Sequence, residues 1–155
     1  MGVLRVIATE AALWGVLQGT AAQYLDTCYT RVETGLTHGG VSDVEYVHRP
    51  WHGWIELKVA RWPRPGHAFR LQHPFSMAQL TWLSTHHRPA TYLRSWLLVG
   101  FAGTRRWTAF LLLPPVAAAC LVDGGKAHPH EYVLTRPGAI LQSAIGDAVS
   151  AIGQC

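Results

Sequence analysis

Gly40-Val41-Ser42-Asp43 and Trp54-Ile55-Glu56-Leu57-Lys58 are the two stretches whose reading decides the fold. Val41 to Val47 alternates in polarity and predicts a strand, as does Gly53 to Ala60; Pro50 and Gly53 bracket a hairpin-like connection between them. Side chains on a strand point alternately to its two faces. Glu56 and Lys58 are therefore expected side by side on one face, with Ile55 and Leu57 turned into the opposite layer. If the two strands pair, the carboxylate of Asp43 reaches the same place. Two carboxylates beside a lysine suit the magnesium-dependent hydrolysis of a phosphodiester. Mg²⁺ takes hard oxygen ligands and keeps several waters. It stabilises charge building on the phosphate and activates a bound water, while an ammonium orients that water or offsets the charge. A Glu/Lys pair alone is also what an ordinary surface strand carries; a glycine-led Asp on the preceding strand gives the pair its weight.

On the N-terminal side, Thr9 is placed to N-cap a helix running to about Thr27, with Leu13, Val16, Leu17, Tyr24 and Leu25 as its buried face. Tyr29 to Glu33 predicts a short strand and Thr34 to Gly40 a turn. On the C-terminal side, Arg61 to Pro74 is a proline-punctuated loop. A helix is expected over about Phe75 to His87, with an apolar stripe of Met77, Leu80, Thr81 and Leu83–Ser84. Leu93 to Phe101 and Arg106 to Leu113 predict two strands turning at Ala102-Gly103-Thr104, and Pro114-Pro115 starts a short turn or helix. Asp123 to Pro129 is a polar loop, Tyr132 to Leu134 a brief strand, and Ala139 to Ile152 a terminal helix. Helix, strands, helix, strands, helix predicts an α/β protein, a central mixed β-sheet flanked by α-helices.

A chain of 155 residues with 49% apolar content fits one domain with its own core and argues against disorder. The core is expected over about 9–113, with a C-terminal helical extension over about 138–153. The net charge of +4 suggests an acidic partner without identifying it. Its distribution says more. No Asp or Glu lies between Leu57 and Val122, whereas Glu33, Asp43, Glu45 and Glu56 crowd just before. Two readings fit: a metal site bordering a polyanion surface, or an ordinary arginine-rich solvated surface. Cys28, Cys120 and Cys155 are odd in number and form no CxxC pair, which fits a reducing compartment. Glu10 interrupts the apolar N-terminus, so no signal peptide is expected. Trp107 to Val122 is too short for a membrane span and contains Pro114-Pro115.

Gly40-Val41-Ser42-Asp43 followed by Ile55-Glu56-Leu57-Lys58 resembles the G-x-P-D … (I/V)-E-x-K signature of the PD-(D/E)XK nucleases. The likeness is strongest to the Holliday-junction resolvases of archaea and phages and to virus-type VRR-NUC nucleases. It covers about Thr9 to Leu113, with Ser42 standing where the family often has proline. The resemblance implies a restriction-endonuclease-like core and a metal-dependent endonuclease acting on branched DNA, with Mg²⁺ as cofactor and Mn²⁺ able to substitute. Under it, Asp43 and Glu56 ligate the metal, with the Leu57 carbonyl as a third protein ligand and Glu10 as a fourth acidic candidate. Lys58 positions the nucleophilic water. Gln79, opening Gln-x-x-Trp to Trp82, hydrogen-bonds near Lys58 or the phosphate. Arg31 matches an arginine preceding the first core strand.

Each assignment has a plainer counterpart: Glu10 as a helix N-terminal Glu favoured by the dipole, Gln79 as a boundary residue. Arg61-Trp62-Pro63-Arg64 and Arg70 suit phosphate contact with base stacking, unless Trp62 folds onto the core. Glu45 shares a face with Asp43 by alternation but reads better as a hairpin-edge charge, and Glu33 assists at most indirectly. His86-His87-Arg88 and His128-Pro129-His130 lack the spacing of a zinc site. Resolving a four-way junction takes two symmetric cuts, so a homodimer is expected. Ile145 and Ile152, seven residues apart, offer one contact face. Alternatives are a flap or restriction-type nuclease, and a non-catalytic DNA-binding protein on a nuclease fold. A cytoplasmic location, the host's if the gene is viral, completes the expectation.

Overall fold

The computed structural model describes residues 9–21, 27–32, 40–61, 63–64, 66–102, 110–127 and 134–135. The terminal helix with Ile145 and Ile152, the 103–109 turn, Glu33, Trp62, His128, His130, Tyr24 and Leu25 lie outside them. The described elements run α1 (Glu10–Ala21), β1 (Thr27–Arg31), β2 (Val44–His48), β3 (Trp51–Arg61), α2 (Met77–Thr85), β4 (Trp96–Ala102), β5 (Phe110–Leu113), α3 (Pro115–Ala118) and β6 (Leu134–Thr135). The strands form a mixed sheet in the order β1-β2-β3-β4-β5-β6. All neighbours are antiparallel except β3 and β4, which pair in parallel because α2 lies between them in the chain. This is the expected α/β sheet with flanking helices.

A central parallel pair is covered on both faces and reads as a continuous apolar run. β4 obeys this from Trp96 to Phe101, all buried. β3 is equally buried from Ile55 to Ala60, yet carries Glu56 and Lys58 inside that run. Ile55, Leu57 and Val59 pack against Leu13 and Leu17 of α1, together with Val44, Tyr46, Trp96, Leu98 and Leu112. The opposite face holds Ala60, Leu97, Val99 and Phe101 under Leu83, Ala118 and Leu121. Leu13 and Leu17 stand four residues apart, one above the other on a helix.

Several expectations need correction. The Thr9 cap is present, its Oγ1 accepting the Ala12 N–H at 3.1 Å, but the described helix ends at Ala21. Val16 is only partly buried. β1 starts two residues earlier than expected and ends at Arg31. Asp43 stands just before β2, not within it. Because the turn closes at Arg49-Pro50, β3 begins at Trp51, two residues before the expected Gly53. At Gly53 a Cβ would stand 1.9 Å from the Arg94 carbonyl oxygen. α2 is shorter than its apolar pattern implied, since Ser76 caps it with a reciprocal Gln79 bond. Of its expected stripe only Leu83 is buried, while Met77, Thr81 and Ser84 face solvent. β4 begins at Trp96, and Leu93 forms only bridges to His52 and Arg88.

Candidate active site

The β2–β3 ladder ends at Val44 opposite Ile55. Beyond that point β3 continues and β2 is gone, so buried backbone donors on that edge need other partners. Asp43 supplies one: its Oδ2 accepts the Leu57 N–H at 2.9 Å. Two residues on, the returning chain takes over, with the Gln72 N–H donating to the Val59 carbonyl at 2.7 Å and Leu71 bridging Ala60. The gap between these patches is where Glu56 and Lys58 stand.

Their faces follow strand alternation, as expected. Glu56 is 1% exposed and Lys58 6%. The Lys58 Nζ lies 3.0 Å from Glu56 Oε1 and 3.6 Å from Glu10 Oε1, the latter reaching in from the first turn of α1. Gln79 comes from α2 on the other side. Its Oε1 accepts the Ser76 N–H at 3.0 Å, which leaves the amide Nε2 to donate to Glu56 Oε1. One side chain thus caps a helix and orients a buried carboxylate. Asp43, Glu56, Lys58, Glu10 and Gln79 are brought together from four segments of the chain. Leu57 shares the spot through its backbone, while its side chain is buried on the α1 face.

Electrostatics here are unbalanced. Three carboxylates surround one ammonium. Burial pushes the Glu56 carboxyl up to about 7, the Asp43 charge pushes the same way, and Lys58 opposes them. For Lys58, burial works to depress the ammonium, but Glu56 and Glu10 outweigh it and hold its pKa above the usual value. Glu56 Oε2 is buried and has no hydrogen-bond partner among the described residues. An unpartnered carboxylate oxygen facing an excess of negative charge is a place a divalent cation fits. Among the described residues no group of three or more His, Cys, Asp or Glu is placed to hold a metal ion. The carboxylates are hard oxygen donors of the kind Mg²⁺ takes, without the nitrogen and sulfur ligands of a structural zinc.

The basic residues border this centre. Arg31 is exposed at the end of β1 and lines a cavity of about 360 Å³ with Glu10, Val59, Gln72 and His73. Arg61 and Arg70, both exposed, share an open cleft of about 350 Å³ with Pro63 and Gln72. Arg64 is exposed on the same loop. Gln72 and His73 gave no signal in the sequence: only the return of 71–72 onto β3 places them here. Glu45 does not join the site; it is exposed, paired with Trp54 across the ladder. Alternation failed there because Asp43 precedes the strand and turns to its edge. Ser42 is fully buried with its hydroxyl unpartnered among the described residues. His86 stacks on Trp82 with ring centroids 4.1 Å apart. No helix among the described residues is long and apolar enough to cross a membrane. Comparison with protein-family models, with curated proteins and with solved structures gave no match.

Proposed function

We propose that this protein is a metal-dependent, structure-selective DNA endonuclease of the PD-(D/E)XK type, a Holliday-junction resolvase built on a restriction-endonuclease-like core. The observation that carries this reading is the fork: Asp43 caps the Leu57 N–H where β2 ends, which sets its carboxylate beside Glu56 and Lys58. Asp43 and Glu56 would hold the metal with the Leu57 carbonyl, and Glu10 borders them. A bound Mg²⁺ would supply an activated water and charge stabilisation at the phosphate. Gln79 keeps Glu56 in one orientation, so the carboxylate is preorganised before DNA arrives. Lys58, fixed between Glu56 and Glu10, donates hydrogen bonds to the attacking water or to a non-bridging phosphate oxygen. Arg31, Arg61 and Arg70 line the approaches and, with the exposed Arg64, would hold the DNA backbone. The working form is a homodimer in the cytoplasm, because one metal centre per chain makes one cut and a junction needs two opposed ones.

The test is cleavage of a labelled four-way junction against linear duplex, with Mg²⁺, Mn²⁺ or EDTA. Paired cuts in the junction with either metal and none in EDTA are expected. A single nick in flaps would favour the VRR-NUC-like alternative, and binding without any cleavage would favour a non-catalytic DNA-binding protein.

A further inference from the structure

The start of β3, roughly 17 Å along the strand from Glu56 at about 3.3 Å per residue, carries a second cluster. Trp51 and Tyr92 meet edge to face with ring centroids 5.1 Å apart. The Arg94 guanidinium lies 4.1 Å from the centre of the Trp51 ring. Arg94 is 7% exposed, its Nε has no hydrogen-bond partner among the described residues, and no carboxylate pairs with it there. A buried cation without a counter-charge is costly, and the aromatic face offsets only part of that. What remains is a positive potential beneath the rings.

Tyr92 itself is strained and presented. Its φ of 60° is left-handed, rare for a bulky residue and a pointer to function where the surroundings enforce it. They do so here. The Tyr92 N–H donates to the Pro89 carbonyl at 3.1 Å, and its own carbonyl accepts from the His52 N–H at 3.0 Å. The Arg94 N–H donates to the His52 carbonyl at 2.8 Å, and the Arg94 carbonyl accepts the Tyr46 hydroxyl at 2.9 Å. On this fixed base Tyr92 remains 50% exposed. Arg49, two residues before Trp51, and Arg88, whose N–H donates to the Leu93 carbonyl at 2.7 Å, flank the pair and are exposed. The chain from Tyr46 to Ile55 and from Leu57 to Val122 holds no Asp or Glu to compete for them.

We infer that Tyr92 and Trp51 form a stacking platform for one unpaired base of a nucleic-acid strand, with Arg49 and Arg88 holding its flanking phosphates. An exposed Tyr92 ring, backed by the half-buried Trp51 and set between arginines, suits single strands, whose bases offer a free face, whereas duplex bases are already stacked. Arg94 acts as a positioning residue beneath the platform. The inference rests on the nuclease reading and sharpens it: the enzyme engages an unpaired nucleotide at the branch, away from the cut.

The test is fluorescence anisotropy of the whole chain with a short labelled oligothymidylate in EDTA, set against an abasic strand of equal length. The wild type should prefer the oligothymidylate. Tyr92→Ala should weaken that binding about ten-fold, leaving abasic binding unchanged, and Tyr92→Phe should restore it. Wild-type affinity in Tyr92→Ala at an unchanged melting temperature overturns the platform. Should Tyr92→Ala not fold, the Arg49→Gln/Arg88→Gln double variant decides: its salt slope should fall by about 1.4 on this single strand, and an unchanged slope overturns the proposal. Junction cleavage by the wild type in Mg²⁺ separates the two readings. Cleavage with unaltered binding in these variants sinks the platform alone; the expected losses in a protein that never cuts DNA sink the nuclease reading alone.

Discussion

The two halves of β3 solve the same backbone problem differently. From Trp51 to Ile55 the strand is laddered to β2, and Gly53 lets the 92–94 segment close against it. From Glu56 onward β2 is absent, and a carboxylate from Asp43 replaces a backbone carbonyl as the acceptor for Leu57. The closed half needs little polar chemistry to hold it. The open half is satisfied at Leu57 by the side chain of Asp43, a candidate catalytic residue, and two residues on by the returning backbone at Gln72. The chemistry therefore sits where the sheet is incomplete.

The largest effect that would break this comparison is at the fork. Asp43→Ala should abolish metal-dependent cleavage and also lower stability by about 1–3 kcal/mol, since it leaves the Leu57 N–H unpaired. Asp43→Asn should regain most of that stability, because an amide oxygen still accepts, without regaining cleavage. Denaturant melts alongside a nicking assay separate the two roles; cleavage at the parental rate in either variant would sink the site assignment.

At the closed end, Gly53→Ala should cost about 3 kcal/mol, because its Cβ would meet the Arg94 carbonyl oxygen at 1.9 Å. Thermal melts measure it, and a loss of a few tenths would mean the two segments are not held that close.

A smaller effect concerns charge. Burial, then Asp43, hold the Glu56 carboxyl at about 7, above its unfolded value. The folded state then keeps a proton that the unfolded chain releases from about pH 4.5. In metal-free protein this group's contribution is full below that pH and is lost as pH rises toward 7. Glu56→Gln should remove that decline and melt higher than wild type at neutral pH. Adding Mg²⁺ should raise the melting temperature of wild type and not of the variant. A variant that melts lower at pH 7.5 would show that the carboxylate is compensated.

The smallest effect is at His87, half-buried, whose Nδ1 accepts the Ser95 N–H at 3.1 Å. Burial, with Arg94 adding to it, holds its pKa below the usual histidine value. The folded state resists protonation, so stability is full above about pH 6.5 and is lost as pH falls below it toward the folded value. His87→Gln should flatten that acid-side slope in melts between pH 8 and 5. An unaltered slope would assign it to other groups.

The sequence by itself determined the strands' identity, the alternation that puts Glu56 and Lys58 on one face, and the apolar runs that make β3 and β4 central. Those are local properties: a period of two, a capping Thr9, a proline-punctuated loop. Gln79 was visible as a motif, but its double duty was not, because it depends on Ser76 capping the helix start and on α2 lying over β3. The place of Asp43 before its strand, the arrival of Glu10 from α1, and the Gln72–His73 edge were decided only by the tertiary structure. The same holds for the Trp51, Tyr92 and Arg94 cluster, since Trp51 lies some forty residues before the other two and nothing in local pattern links them. The physical reason is that a buried strand edge must be satisfied by something, and which residues come to it depends on how the whole chain closes around β3.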